Sequence, residues 1–89
     1  MFNRRNSFEI TRDILNVCIR GSNQTHVVYA ANLNDSSVKK YLSLCLDMRL
    51  LETHTNDNGI TIYRTNLRGM QFLQNFFRNP IQQIGSGIS

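Results

Sequence analysis

The sequence predicts a mainly helical α+β domain: three helices around one core, a β-hairpin, and a closing C-terminal helix. Three observations carry this prediction. Apolar residues recur at helical spacing in the first half of the chain, and each segment follows a residue able to cap a helix. Two β-rich runs then flank a polar turn that ends in Asn58-Gly59. Last comes an aromatic-rich helical segment that stops at Pro80.

In the first helix, Ile10, Ile14, Leu15 and Cys18 share one face, and Gly21 is the stop signal. Ser7 is the expected N-cap, with Glu9 and Asp13 toward the positive end of the helix. The spacing predicts a helix over 7–20. A shorter helix over 24–31 follows, capped from Ser22-Asn23. It offers Val27, Val28, Ala30 and Ala31 for packing and ends near Asn32, while Leu33 turns the chain inward. Asn34 caps a third helix, predicted to run over 34–49, with Asp35 as a favourable charge in its first turn. Val38, Tyr41, Leu42 and Cys45 cluster on one side of it. Ser36, Lys39, Lys40, Ser43 and Asp47 lie opposite.

The runs LLETHT (50–55) and ITIYRT (60–65) flank NDNG, which reads as a hairpin. Either Ile60 and Ile62, or Thr61 and Tyr63, can form its buried face. Asn66 can cap the final segment, NLRGMQFLQNFFRN. Met70, Leu73 and Phe77 run along one edge of that helix, and Phe72 and Phe76 along another. The expected organisation is a flexible basic arm over 1–6, one domain over 7–79 and a flexible tail over 80–89.

With 89 residues, 40% hydrophobic and 18% charged, the chain suits a single globular domain better than a disordered one. No apolar run is long enough to span a bilayer, and no apolar stretch follows the N-terminal arginines. A cytoplasmic protein is expected. Cys18 and Cys45 read either as small buried hydrophobes in a reducing compartment or, if their helices pack together, as a disulfide. His26 and His54 lack ligand spacing, so no metal site is expected. The acids are few and dispersed. There is no glycine-rich phosphate loop and no legible nucleophile–base pair, so no catalytic residue, cofactor or enzyme activity is expected. The formal net charge of +4 and pI near 9.6 favour a polyanionic partner, nucleic acid or an acidic membrane surface.

The order of elements narrows this choice. Only Asn32-Leu33-Asn34 separate the second and third helices, which is a helix-turn-helix arrangement. A hairpin directly after the third helix is a wing. Together these make a winged helix-turn-helix domain.

Three blocks also carry a family likeness: "RRNSFEITRDILNVC", "YAANLNDSSVKKYLSLCLDMRLLE" and "YRTNLRGMQFL". Across about residues 4–78 the chain resembles the small archaeal winged helix-turn-helix proteins, a group of predicted transcriptional regulators and basic chromatin-associated proteins. That resemblance implies double-stranded DNA as partner, a nucleoid-associated location and a homodimer.

On this reading the third helix enters the major groove, and Ser36, Ser37, Lys39, Lys40 and Ser43 are the candidate contacts. Asp47 opposes phosphate, so entry is by the N-terminal half. Gln24 and Thr25, with His26 beside them, can reach the DNA backbone from the second helix. Arg64 can reach it from the wing stem, or else is merely exposed. Arg4 and Arg5 either enter a minor groove as a flexible arm or only add solubility. The wing tip Asn56-Asp57-Asn58-Gly59 carries no Lys or Arg and reads as a plain turn. Met70, Phe72, Phe76 and Phe77 are the candidate dimer interface, unless the tail closes over them. The competing function is a winged helix that binds another protein without strong DNA affinity.

Overall fold

The computed structural model describes residues 5–75. Its elements run α1 (Ser7–Val17), α2 (Gln24–Ala30), α3 (Asp35–Asp47), β1 (Leu51–Thr55) and β2 (Thr61–Thr65). A further helix, α4, starts at residue 67 and is described through 75. The expected order and fold class both hold. Arg4, Phe76, Phe77 and the expected tail lie outside the described residues.

The helix ends depart from the sequence reading, each for a local reason. Asn6, not Ser7, is the N-cap of α1. Its side chain accepts from the Glu9 amide at 2.8 Å, and the Glu9 carboxylate accepts from the Asn6 amide at 3.1 Å, forming a capping box. The Ser7 hydroxyl lies instead 3.2 Å from the Tyr41 hydroxyl, joining α1 to α3. The helix stops at Val17 rather than residue 20. The chain needs a turn there to bring Ser22 against the wing, and Gly21 supplies it with φ +93°. Ser22 then exchanges two backbone hydrogen bonds with Tyr63, at 2.9 and 2.8 Å, adding a one-residue bridge to the hairpin.

Both later helix ends are Schellman motifs. Asn32 closes α2 with φ +56°; its amide donates to the Tyr29 carbonyl, and the Leu33 amide donates to that of Val28. Arg49 does the same for α3 with φ +61°, so that helix ends at Asp47, short of the expected residue 49. Its amide donates to Leu46 and that of Leu50 to Cys45. The turn between α2 and α3 is therefore fixed by backbone hydrogen bonds as well as by packing.

β1 and β2 pair antiparallel, with Leu51 opposite Thr65 and Thr55 opposite Thr61. The connection is not a two-residue turn. The Gly59 amide donates to the Asn56 carbonyl, Gly59 has φ +81°, and the Asn56 amide donates to Ile60. This is a three-residue loop closed by a glycine bulge. The Asn56 side chain accepts from the amides of Asn58 and Ile60, so it serves the turn, as its plain reading expected.

The core is built from Ile14, Leu15, Cys18, Val27, Val38, Leu42, Cys45, Leu50, Leu51 and Leu73. Cys18 and Cys45 are buried free thiols, not a disulfide. Burial, reinforced by the nearby Cys45, pushes the Cys18 thiol up to about 12, and burial pushes Cys45 up to about 11. Thr65 sews the hairpin to α1: its hydroxyl donates to the Leu15 carbonyl at 2.7 Å, and its amide to that of Cys18 at 3.0 Å. Asn66 caps α4 as expected, accepting from the Gly69 amide at 2.8 Å. It also donates to the Arg49 carbonyl, tying the start of α4 to the end of α3.

Candidate nucleic-acid interface

α3 buries Val38, Tyr41, Leu42 and Cys45 and leaves Asp35, Ser36, Lys39, Lys40, Ser43 and Asp47 exposed. The face read from sequence thus exists as one surface. Ser36 and Ser43 lie along its middle, with the two lysines on either flank.

The lysines are differently engaged. Lys39 sits on the flank facing α2, with Nζ 3.7 Å from Asp35 Oδ2 one turn back. Lys40 lies on the other flank, with Nζ 5.4 Å from the centre of the Tyr41 ring, a cation–π contact. Among the hydroxyls, Ser36 Oγ donates to Asn34 Oδ1 at 3.2 Å, while the Asn34 side chain caps the helix by accepting from the Ser37 amide. Ser37 is half-buried, so it belongs to the cap more than to the outer face.

Around this helix the other candidates separate. Thr25 and His26 are exposed on the first turn of α2. Gln24 is half-buried, and its Nε2 donates to Asp35 Oδ1 at 2.9 Å, bridging the starts of α2 and α3. Arg64 is exposed on β2, opposite Glu52 in the strand register. At the wing tip, Asp57 and Asn58 are exposed and Ile60 is partly so.

Arg5 corrects the sequence reading most clearly. It is not part of a free arm. Nη1 donates to Asp13 Oδ2 at 2.7 Å and to the Ala31 carbonyl at 2.9 Å, and Nη2 donates to the Asn32 carbonyl at 3.1 Å. The guanidinium is a clamp across α1 and the C-terminal end of α2, where the last helical carbonyls need donors. Asn6, as the α1 cap, also belongs to the fold, so the arm expected over 1–6 does not reach residues 5 and 6.

On α4, Leu73 is buried in the core and Phe72 is half-buried, its ring stacked on Phe8 at 6.2 Å between centroids. Phe72 is thus partly used within its own chain. Met70 is partly exposed, and Phe8 and Leu67 are 64% and 74% exposed.

Residues 4–80 match the model of the winged helix-turn-helix family. The chain belongs to that family. Among solved structures, this winged helix-turn-helix protein is similar to Sso10a-2, a DNA-binding protein from Sulfolobus solfataricus. The two share 26% identity and a TM-score of 0.77, over 93% of this chain and 88% of that one. It also resembles the transcriptional regulator BldR from the same organism (TM-score 0.70, 15% identity, 90% of this chain). A third likeness is to MepR, a transcription regulator of the Staphylococcus aureus multidrug efflux pump MepA (TM-score 0.69, 14% identity, 90% of this chain). The chain spans 62% and 64% of those two regulators, and at such identities the likeness speaks for the fold alone. No curated protein sequence matches significantly.

In this winged helix-turn-helix chain, sequence reasoning missed Asp35 as the hub linking Gln24 and Lys39. The i,i+4 spacing of Asp35 and Lys39 was a legible signal. The link to Gln24 was not, because it depends on how α2 meets α3. Gly69 gives no signal in the sequence. A Cβ there would come within 2.4 Å of the Leu50 carbonyl oxygen and 2.6 Å of Thr65 Cγ2, so glycine is what lets α4 lie against the wing stem.

Proposed function

We propose that this protein binds double-stranded DNA through α3 and acts as a transcriptional regulator or a chromatin-type binder. The observation that carries the reading is the exposed Ser36–Lys39–Lys40–Ser43 surface on the second helix of a helix-turn-helix whose turn is rigidly closed. Short hydroxyls near the helix start reach phosphates or base edges, and the lysines neutralise phosphate or donate to guanine. Asp47, further along the same face, keeps the C-terminal half of α3 off the backbone. Thr25 on α2 and Arg64 on the wing stem add backbone contacts. The similarity to Sso10a-2, a DNA-binding protein, supports the same assignment. The wing contributes little: its tip is uncharged apart from Asp57, which repels phosphate.

A homodimer built through α4 would match two half-sites on DNA. Met70 is partly exposed on one edge of α4, and Phe72, stacked on Phe8, is half-buried on another; both edges leave apolar area for a partner, and Phe77 and Phe76 extend them in sequence. Among the described residues no helix is long and apolar enough to cross a membrane, and a cytoplasmic, nucleoid-associated location follows from the DNA reading.

The test is fluorescence anisotropy with mixed-sequence duplex over a salt series. Contact with about four to six phosphates gives a log–log slope of about −4 to −5. The Lys39→Glu/Lys40→Glu variant should abolish binding. Weak, shallow binding unchanged in that variant would favour a protein-interaction module instead, a reading to which the acidic wing tip lends some support.

A further inference from the structure

The charge of α3 does not follow the charge of the chain. The whole protein carries +4. Its proposed recognition helix, DSSVKKYLSLCLD, holds two Lys and two Asp, and 2 − 2 gives a formal charge of zero. One of those acids stands beside the proposed contacts. Asp35 Oδ1 accepts from Gln24 Nε2 at 2.9 Å, and Asp35 Oδ2 faces Lys39 Nζ at 3.7 Å. A single carboxylate therefore engages one backbone-contact candidate on α2 and one lysine on α3.

Stability accounts for only part of this arrangement: Asp35 is a favourable charge in the first turn of α3, a role that needs neither Gln24 nor Lys39. The Lys39 and Asp35 side chains are 66% and 65% exposed, and ion pairs that exposed contribute little. Nor is Asp35 the cap: Asn34 accepts from the Ser37 amide and fills that role. What the carboxylate does is hold a negative charge, and two donors, at the edge of the surface that would face the DNA backbone.

We propose that Asp35 is a specificity-determining residue: it acts as an internal competitor for phosphate that occupies Gln24 and Lys39 and holds down non-specific DNA binding. The proposal rests on the DNA-binding reading given above. Mixed-sequence DNA, which offers only backbone contacts, meets a helix with one effective lysine, Lys40. A preferred sequence can recover the loss, because base-edge contacts from the α3 face reward displacement of the Asp35 partners.

The experiment compares wild type with Asp35→Asn, Asp35→Ser, Asp35→Asn/Lys39→Gln and Lys39→Glu/Lys40→Glu, all as full chains on mixed-sequence duplex across a salt series. Thermal melting runs alongside, and the serine variant keeps a residue that starts helices well. Releasing Lys39 adds one phosphate contact, so both Asp35 variants should bind tighter than wild type, with a slope steeper by about 0.9. Their advantage should then grow about 3.5-fold as salt falls from roughly 200 to 50 mM. Adding Lys39→Gln should return the slope to that of wild type. If Lys39→Glu/Lys40→Glu abolishes binding while the Asp35 variants match wild type in affinity and slope, the inference is overturned and the DNA reading stands. If all variants bind as wild type does, both are overturned.

Discussion

Replacing Gly69 by alanine tests how α4 is seated, because two physical effects predict opposite signs. Gly69 lies in the first turn of α4, where alanine is the better helix former by about 1 kcal/mol. If the site were open, the substitution would stabilise the protein. The structure predicts the reverse. The added Cβ would stand 2.6 Å from Thr65 Cγ2, when carbon atoms pack best at about 3.5–4.0 Å, and 2.4 Å from the Leu50 carbonyl oxygen. Neither neighbour can swing aside. Thr65 is held by its hydrogen bonds to the Leu15 and Cys18 carbonyls, and the Leu50 carbonyl accepts from the Asn66 amide at 3.1 Å. Overpacking of this kind costs about 1–3 kcal/mol, and straining the Asn66–Leu50 hydrogen bond adds about 1 kcal/mol. Less the helix gain, the net loss is about 2 kcal/mol. In a domain of this size that lowers Tm by roughly 8–16 °C. Urea melts of Gly69→Ala beside wild type measure it directly, with an unchanged m-value expected. A Tm at or above that of wild type would refute the close approach of α4 to the wing stem.

Three further outcomes are expected. Arg5→Ala should destabilise the protein by about 2–3 kcal/mol in urea melts, since Asp13 loses one of its two arginine partners and two helix-end carbonyls lose a partly buried donor. It should leave the salt slope of DNA binding unchanged, because that charge is spent inside the fold. The thiols of Cys18 and Cys45 titrate higher in the fold, at about 12 and 11, than their ordinary 9.0. Their contribution is therefore fully present below pH 9 and is lost as pH rises through 11–12, at up to about 1.4 kcal/mol per pH unit for each thiol. Melts between pH 7 and 11 should show the fall begin near pH 9, and Cys18→Ala/Cys45→Ala should remove it. Arg49→Gly should stabilise by about 0.5–1 kcal/mol in the same melts, because Arg49 holds φ +61° to end α3, a conformation that costs glycine far less.

The legible part of this fold was the part governed by local rules. The apolar face of α3, the Asn34 and Asn66 caps and the hairpin around Asn58-Gly59 were all readable, because each depends on residues within a turn or two of one another. The helix ends were less so. Apolar spacing alone extends the first helix through residue 20, but Ser22 must pair with Tyr63, and that distant partner pulls the chain into a turn at Cys18. The candidate surface followed the same division. Ser36, Lys39, Lys40 and Ser43 share a face by helical geometry alone. Position in the chain puts Gln24 and Arg5 near DNA, yet each donates to groups brought close only by helix packing.

By itself, then, the sequence determined the order of elements, the winged helix-turn-helix class and the polar face of α3, since periodicity and capping act along the chain. Only the tertiary structure decided which polar side chains on that chain are available when their partners lie far away in sequence. Arg5 is consumed by Asp13 and the end of α2, and Gln24 on α2 donates to Asp35 on α3. A polar group is free or spent according to what lies within a few ångströms of it, and for Arg5 and Gln24 those neighbours come from other elements of the fold.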